Sequence, residues 1–314
     1  MTLLLRRSEI SNLLDLRQAM VVLESTFREQ AEGKVKQVAP LRFMDRGMRM
    51  VVGGLLGQNI NGLRVSVTGG ESAALLFEIS SGDLISIMGY PFSELRISAT
   101  VALAIERLAS PNARKLALIG SGRLALPILA PAIAVRPIEE VFVYSPTARN
   151  RERFAEDAAG KLKVPVVAVS SPEAALAEAD IVLVSTNSPR PALRGEFLRP
   201  GVSVFGVGRP NEFDDEVYLR ANLISITSRT HELGYYDTRL DQPLIRLSGQ
   251  AKQIRWEEVA EFCDIVSGKV SIPNPAKNLL VFRDSQGGYG DLALAAWVYE
   301  RARQIGLGQE ITIE

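Results

Sequence analysis

Two rhythms of apolar residues run along this chain and change over near residue 112. Residues 14–32 repeat with a helical period and stop at Gly33. Strand-like runs follow at 48–52, 63–67, 73–79 and 84–88, with the turn Ser81-Gly82-Asp83 between the last two. Close spacing with such turn residues predicts antiparallel hairpins. A second helical stretch, 94–109, stops ahead of Pro111. Beyond it short apolar runs alternate with helical patterns. Strands are expected at 115–119, 141–144, 164–169, 181–184, 203–207 and 223–226, with helices at 123–135, 149–160 and 171–179. This alternation predicts an α/β fold with a doubly wound parallel sheet covered on both faces. Pro127 and Pro131 interrupt the first of those helices, which therefore starts late or bends. Residues 1–7 read as a starting strand, and helix 291–304 is expected to pack back on the first half.

The run Ile119-Gly120-Ser121-Gly122-Arg123-Leu124-Ala125 falls between a strand and a helix. It matches the G-x-G-x-x-A pattern of a Rossmann-type dinucleotide-binding domain, although Gly-x-Gly also occurs in plain turns. The first glycine permits the tight turn, the second lets backbone approach a pyrophosphate, and the small third residue lets helix and strand pack closely. The helix N-terminus then faces the phosphate charge, with Arg123 beside it. NAD enzymes carry an acid about 20 residues on, at the end of the second strand, for the ribose 2′-hydroxyl. Here the stretch is Ser145-Pro146-Thr147-Ala148-Arg149-Asn150-Arg151, with no acid. Ser145 and Thr147 can donate hydrogen bonds and either Arg149 or Arg151 suits a 2′-phosphate, which favours NADP over NAD; the plainer reading of Arg151 is a solvated helix position. Ser185-Thr186 and Val207-Gly208 follow the fourth and fifth strands, where ligands sit in such sheets, or else form ordinary turns.

Charge and composition exclude more than they assign. Of 314 residues, 36 are Lys or Arg and 36 are Asp or Glu, so the basic footprint of a nucleic-acid binder is absent. There is one cysteine, Cys263, and one histidine, His231, which rules out multi-cysteine and multi-histidine metal sites. Cys263 reads as a core residue and His231 as a surface-loop residue. No run of about 18 apolar residues is present to span a bilayer, and the first residues lack a secretory pattern, so a cytoplasmic protein is expected.

Several further motifs fall in a characteristic order. They are Ala73-Ala74-Leu75-Leu76-Phe77-Glu78 with Leu84-Ile85-Ser86-Ile87-Met88, then Leu95-Arg96-Ile97-Ser98-Ala99-Thr100, then the glycine loop. Ala179-Asp180-Ile181-Val182 with Ser185-Thr186 follows, then Glu212-Phe213-Asp214-Asp215-Glu216, then Val281-Phe282-Arg283-Asp284 leading to Asp291-Leu292-Ala293. Together they resemble the ornithine cyclodeaminase/mu-crystallin family over almost the whole chain. Leu124 stands where that family usually has glutamine.

The resemblance implies a substrate-binding and dimerisation domain of 1–112 plus 291–314, with the Rossmann domain, 113–290, inserted. It implies a homodimer, hydride transfer between NAD(P) and the α-carbon of a small amino acid or cyclic imino acid, and either ornithine cyclodeamination or ketimine reduction. Arg42 and Arg96 match the family's arginines for a substrate carboxylate. Guanidinium suits that task because it offers two parallel donors. Arg64 matches the catalytic lysine. It stays charged at working pH, so it can orient the carboxylate but handles protons poorly. The acid that cyclodeaminases carry after the fifth strand is missing from Gly208-Arg209-Pro210-Asn211. These departures leave open a second reading, a catalytically degenerate NADP-binding carrier or sensor. Asp291 reads as a helix cap.

Overall fold

The computed structural model describes residues 1–43, 47–67, 69–208, 212–233, 254–285 and 288–313; the side chains of Arg42, Phe43 and Leu233 fall outside that description. The chain first forms β1 (Thr2–Leu5), α1 (Arg7–Ile10), α2 (Leu16–Ala31), β2 (Val35–Gln37), β3 (Leu41–Phe43), β4 (Met48–Leu55), β5 (Ile60–Val67), β6 (Ser72–Glu78), β7 (Leu84–Gly89) and α3 (Ser93–Leu108). There follow β8 (Lys115–Ile119), α4 (Ala125–Val135), β9 (Glu140–Tyr144), α5 (Ala148–Leu162), β10 (Val166–Ala168), α6 (Pro172–Leu176), β11 (Ile181–Val184), β12 (Ser203–Gly206), α7 (Asp215–Arg220), β13 (Leu223–Ile226), α8 (Arg229–Leu233), β14 (Val259–Glu261), α9 (Phe262–Val266) and β15 (Leu280–Arg283). The chain ends with α10 (Gly288–Gln304) and β16 (Gln309–Ile311).

Two compact units result: Met1–Ala99 with Thr230–Gly234 and Gln286–Glu314, and Thr100–Arg229 with Tyr235–Ser285. The join expected at 112 therefore falls inside α3. No glycine or proline punctuates that helix, so nothing in the local sequence marks the boundary.

In the first unit the strands run in the order β16-β1-β7-β6-β5-β4-β2, with β3 also on β4; β1 and β7 are parallel and the other pairings antiparallel. Asp15 starts α2 by accepting the Gln18 N–H at 2.8 Å, while the Gln18 side chain accepts from the Asp15 N–H. Alternate residues Val51, Leu55, Ile60, Leu76 and Met88 are buried on the face that meets α2 and α10. Phe27 of α2 meets Tyr289 of α10 edge-on at 6.0 Å. Helix α10 begins three residues before the expected 291, and Gly288 is why it fits. A Cβ there would lie 1.5 Å from the Val51 Cγ1. The opposite face is apolar as well. Met50, Leu63, Val65, Leu75 and Phe77 are half-buried, and Met48, Val52 and Val67 are exposed.

The second unit is an all-parallel sheet in the order β10-β9-β8-β11-β12-β15-β13-β14. All six expected strands are present. The strands β14 and β15 are not expected from sequence: β14 is only three residues long, and β15 is a four-residue run that figures there only as part of the Val281-Phe282-Arg283-Asp284 motif. The proline ambiguity resolves toward a late start: α4 begins at Ala125, which places Pro127 in the first turn, where its missing N–H is not needed. Pro131 lies in the interior. Arg136, just past α4, donates to the carbonyls of Ile105, Glu106 and Ala109 at 2.8, 2.8 and 3.1 Å, closing the end of α3.

Asp180, ahead of β11, accepts the backbone N–H groups of Arg114 and Lys115 at 2.9 and 3.1 Å and pairs with Arg199 at 2.8 Å. Burial opposes ionisation, but the two N–H bonds and Arg199 outweigh it and hold this carboxyl below its usual range. A carboxyl lowered on folding stabilises the protein above its unfolded pKa, and the effect fades as pH falls toward the folded value. Asp180→Asn is therefore expected to lower the urea midpoint at pH 7. The gap to wild type should shrink as pH falls below about 4. An equal gap at both pH values would contradict this.

Candidate functional site

The sheet order of the second unit reverses at β8, whose neighbours are β9 and β11. In open α/β sheets the ligand crevice opens at such a switch, beyond the carboxyl ends of the strands. Gly120, leaving β8, has φ +109°, and a Cβ on it would stand 2.1 Å from the Ser185 carbonyl oxygen. Its N–H donates to the Tyr144 carbonyl at 2.8 Å, and the Ser185 N–H donates to the Ile119 carbonyl at 2.9 Å. The loops after β8, β9 and β11 thus meet backbone to backbone. The Ser121 hydroxyl bonds the Ser145 hydroxyl at 2.9 Å, joining the glycine loop to the end of β9. No atom lies within 4 Å of a Cβ built on Gly122, and Ala125 is buried beneath the start of α4. Open space over Gly122 at the N-terminus of an 11-residue helix fits a pyrophosphate.

Beyond β9, Thr147 is the N-cap of α5, with no side-chain capping bond and no acid in the first turn. Thr147 and Arg149 are exposed, as is Arg123 beside the glycine loop. Arg151 is not the solvated position expected from sequence. It is half-buried, and Nη1 donates to the carbonyls of Ser145 and Pro146 at 3.1 and 3.4 Å, shaping the turn.

On the other side of the switch, the N–H of Thr186 donates to Glu212 Oε1 and that of Gly208 to Glu212 Oε2, each at 2.7 Å. The Val207 N–H donates to the Val184 carbonyl at 3.2 Å. Arg209, Pro210 and Asn211 lie outside the described residues.

The first unit carries a separate charged cluster. Arg64 on β5, Arg96 on α3 and Asp291 on α10 are all buried. Arg64 Nε lies 3.0 Å from Asp291 Oδ2, and Arg96 Nε 3.7 Å from Asp291 Oδ1. The Tyr90 hydroxyl donates to Asp291 Oδ1 at 3.0 Å, and Arg64 Nη1 donates to the hydroxyls of Ser72 and Ser93 at 3.2 and 3.1 Å. Burial, and then the Asp291 charge, hold the Tyr90 hydroxyl well above its usual range, so it stays a donor. Asp291 is thus not a helix cap: it sits in the first turn of α10 and turns inward to organise two arginines. Arg42 lies in β3 opposite Arg49, and its side chain is outside the described residues.

His231 corrects another expectation. It is buried in α8 rather than on a surface loop, and Nδ1 accepts the Gly288 N–H at 3.0 Å. Cys263 is buried; burial, followed by Asp264 and Glu261, pushes its thiol up to about 12, which leaves it unreactive at neutral pH. Among the described residues no three His, Cys, Asp or Glu side chains are grouped to hold a metal ion, and no helix is long and apolar enough to cross a membrane. Glu212, Tyr90 and Ser93 were missed as site-shaping residues. Glu212 alone had a sequence signal, its place in the Glu212-Phe213-Asp214 motif.

A doubly wound sheet with a glycine turn at its switch point defines a Rossmann-type α/β protein. Residues 1–306 match the model of the ornithine cyclodeaminase/mu-crystallin family, and the chain belongs to that family. A Delta(1)-pyrroline-2-carboxylate reductase of Bacillus cereus is 28% identical over 241 residues, covering 76% of this chain and 73% of that protein. Ketimine reductase mu-crystallin of Mus musculus is 28% identical over 235 residues, covering 73% and 69%. Among solved structures, Thermococcus litoralis Delta(1)-pyrroline-2-carboxylate reductase in complex with NADH and L-proline superposes with a TM-score of 0.82. It shares 22% identity and covers 99% of this chain and 100% of that one.

Proposed function

We propose that this chain is an NAD(P)-dependent oxidoreductase acting on a small cyclic imino acid or amino acid, with imine reduction as its reaction. The observation that carries this is the Gly120-Ser121-Gly122 cradle at the switch point, where the backbone makes room for two linked phosphates. Gly120, Ser121, Gly122 and Arg123 hold the pyrophosphate; Ser185, Thr186, Val207 and Gly208 line the rest of the crevice. When bound, the cofactor supplies hydride. Such transfer depends chiefly on positioning, so it tolerates the arginine at position 64. Arg42, Arg64 and Arg96 bind the substrate carboxylate, and Asp291 fixes the last two. Ornithine cyclodeamination is the weaker reading because it needs several proton transfers. Arg64 cannot shuttle protons, and the carboxylate nearest the β12 loop, Glu212, is engaged by backbone amides. NADPH oxidation on adding pyrroline-2-carboxylate or a related cyclic imine tests the proposal. Binding of NADPH with no turnover of any imine would favour the carrier or sensor reading, which the engagement of Arg64 with Asp291 also supports.

NADP is the preferred cofactor in this reading, because Thr147, Arg149 and the start of α5 replace the usual acid. Arg149→Ala is expected to weaken NADPH binding about 10-fold, the worth of one charge-assisted hydrogen bond, and to leave NADH unchanged. Equal effects on both would contradict it. The chain further acts as a homodimer. The exposed apolar face formed by Met48, Val52, Leu63, Val67 and Phe77 is of the kind covered in assemblies. Light scattering is expected to give twice the chain mass, and a monomer would reject the dimer.

A further inference from the structure

Glu212 is fully buried, yet it carries a carboxylate that no part of the proposed reaction uses. Burying an ionised group is costly unless every oxygen is met by a donor. Here each oxygen is met by a backbone N–H from a different loop, Thr186 after β11 and Gly208 after β12, both at 2.7 Å. A Cβ on Gly208 would lie 2.3 Å from Oε1, so the glycine leaves the space the carboxylate occupies. Arg283, equally buried, lies 4.0 Å from Oε2 and donates to the Gly208 carbonyl at 3.3 Å. Both sides of Gly208 are therefore held. The Glu212 main chain is anchored in turn: its carbonyl accepts the N–H groups of Ala192 and Leu193 at 2.8 and 3.0 Å. Side chain and backbone together form one brace joining three segments.

Resting on the dinucleotide reading above, we propose that Glu212 is a positioning residue for the cofactor: its carboxylate sets the separation of the Thr186 and Gly208 loops and so shapes the nicotinamide half of the crevice. The pyrophosphate turn at Gly120–Gly122 and the adenosine end at Ser145–Arg149 make none of the Glu212 bonds given above. The two halves of the crevice then depend on Glu212 unequally. A side chain with one acceptor oxygen cannot replace it, because its NH2 group would face the second loop's N–H instead of accepting from it.

The test measures binding of the intact dinucleotide and of its adenosine fragment to wild type and Glu212→Gln. The dinucleotide is whichever of NADPH or NADH wild type prefers, and the fragment is the matching 2′,5′-ADP or AMP. The expected result is a dissociation constant for the dinucleotide raised 10-fold or more, with the fragment within twofold of wild type. Unchanged binding of both overturns the proposal. Loss of both, including failure of the variant to fold, also overturns it, because Glu212 would then support the whole unit and not one half of the crevice. Wild type that binds neither dinucleotide rejects the cofactor reading itself, a separate outcome.

Discussion

Gly120→Ala is expected to weaken dinucleotide binding by at least about 100-fold, roughly 2.7 kcal/mol, and to lower the thermal stability of the second unit. Two effects add. At φ +109° an alanine backbone is strained, at a cost of order 1–3 kcal/mol. Its Cβ would also stand 2.1 Å from the Ser185 carbonyl oxygen, so the loops after β8 and β11 must separate. Gly122→Ala is the informative contrast. No atom lies within 4 Å of that Cβ and the backbone there is not in the left-handed region, so folding should be unaffected. The added methyl instead fills the space assigned to the pyrophosphate. Calorimetric titration with circular dichroism melting separates the two variants. A Gly122→Ala protein that binds the cofactor like wild type would place the phosphates elsewhere.

Asp291→Asn is expected to cost about 3–5 kcal/mol, the usual penalty for removing one charge from a buried ion pair while its partner stays. Arg64 and Arg96 remain buried beside a neutral amide, and Tyr90 keeps only a weaker acceptor. The midpoint of thermal unfolding should fall by about 6 °C or more. The triple variant Arg64→Met, Arg96→Met and Asp291→Leu should recover much of that loss, since apolar replacement of a whole buried ion cluster is often neutral. A single variant melting within a degree or so of wild type would show that the cluster holds nothing together. Loss of stability in Asp291→Asn and loss of activity in Arg64→Met bear on different claims. The first concerns packing in the first unit, the second the carboxylate site.

The second unit was more legible than the first. Its six main strands are short apolar runs, four of which give way at Gly120, Ser145, Ser185 and Val207, and this strand-end pattern carries both the fold and the cofactor loops. What escaped notice there were elements set by tertiary pairing. β15 enters between β12 and β13 although it lies far along the chain from both. In the first unit, Arg64 and Arg96 were visible only through resemblance. Nothing in the periodicity around Arg64 shows that it points inward. Burial of an arginine depends on Asp291, more than 200 residues away, and no local pattern reports that. Asp291 was misread because an acid near a helix start usually caps it, whereas the helix had already begun at Gly288. His231 was misread because a histidine after a strand end usually faces water. Here the start of α10 supplies an N–H that its ring accepts. Glu212 was noted as a motif letter, but its two amide partners come from separate loops that only the folded sheet brings together.

The cofactor, substrate and positioning roles proposed above all depend on the glycine turn at the switch point being a dinucleotide cradle. Calorimetric titration of the wild-type protein with NADPH and with NADH tests that most directly. Saturable binding of one dinucleotide per chain is expected, with a dissociation constant on the order of micromolar, tighter for NADPH. Absence of any heat of binding from either dinucleotide at millimolar concentration would contradict it.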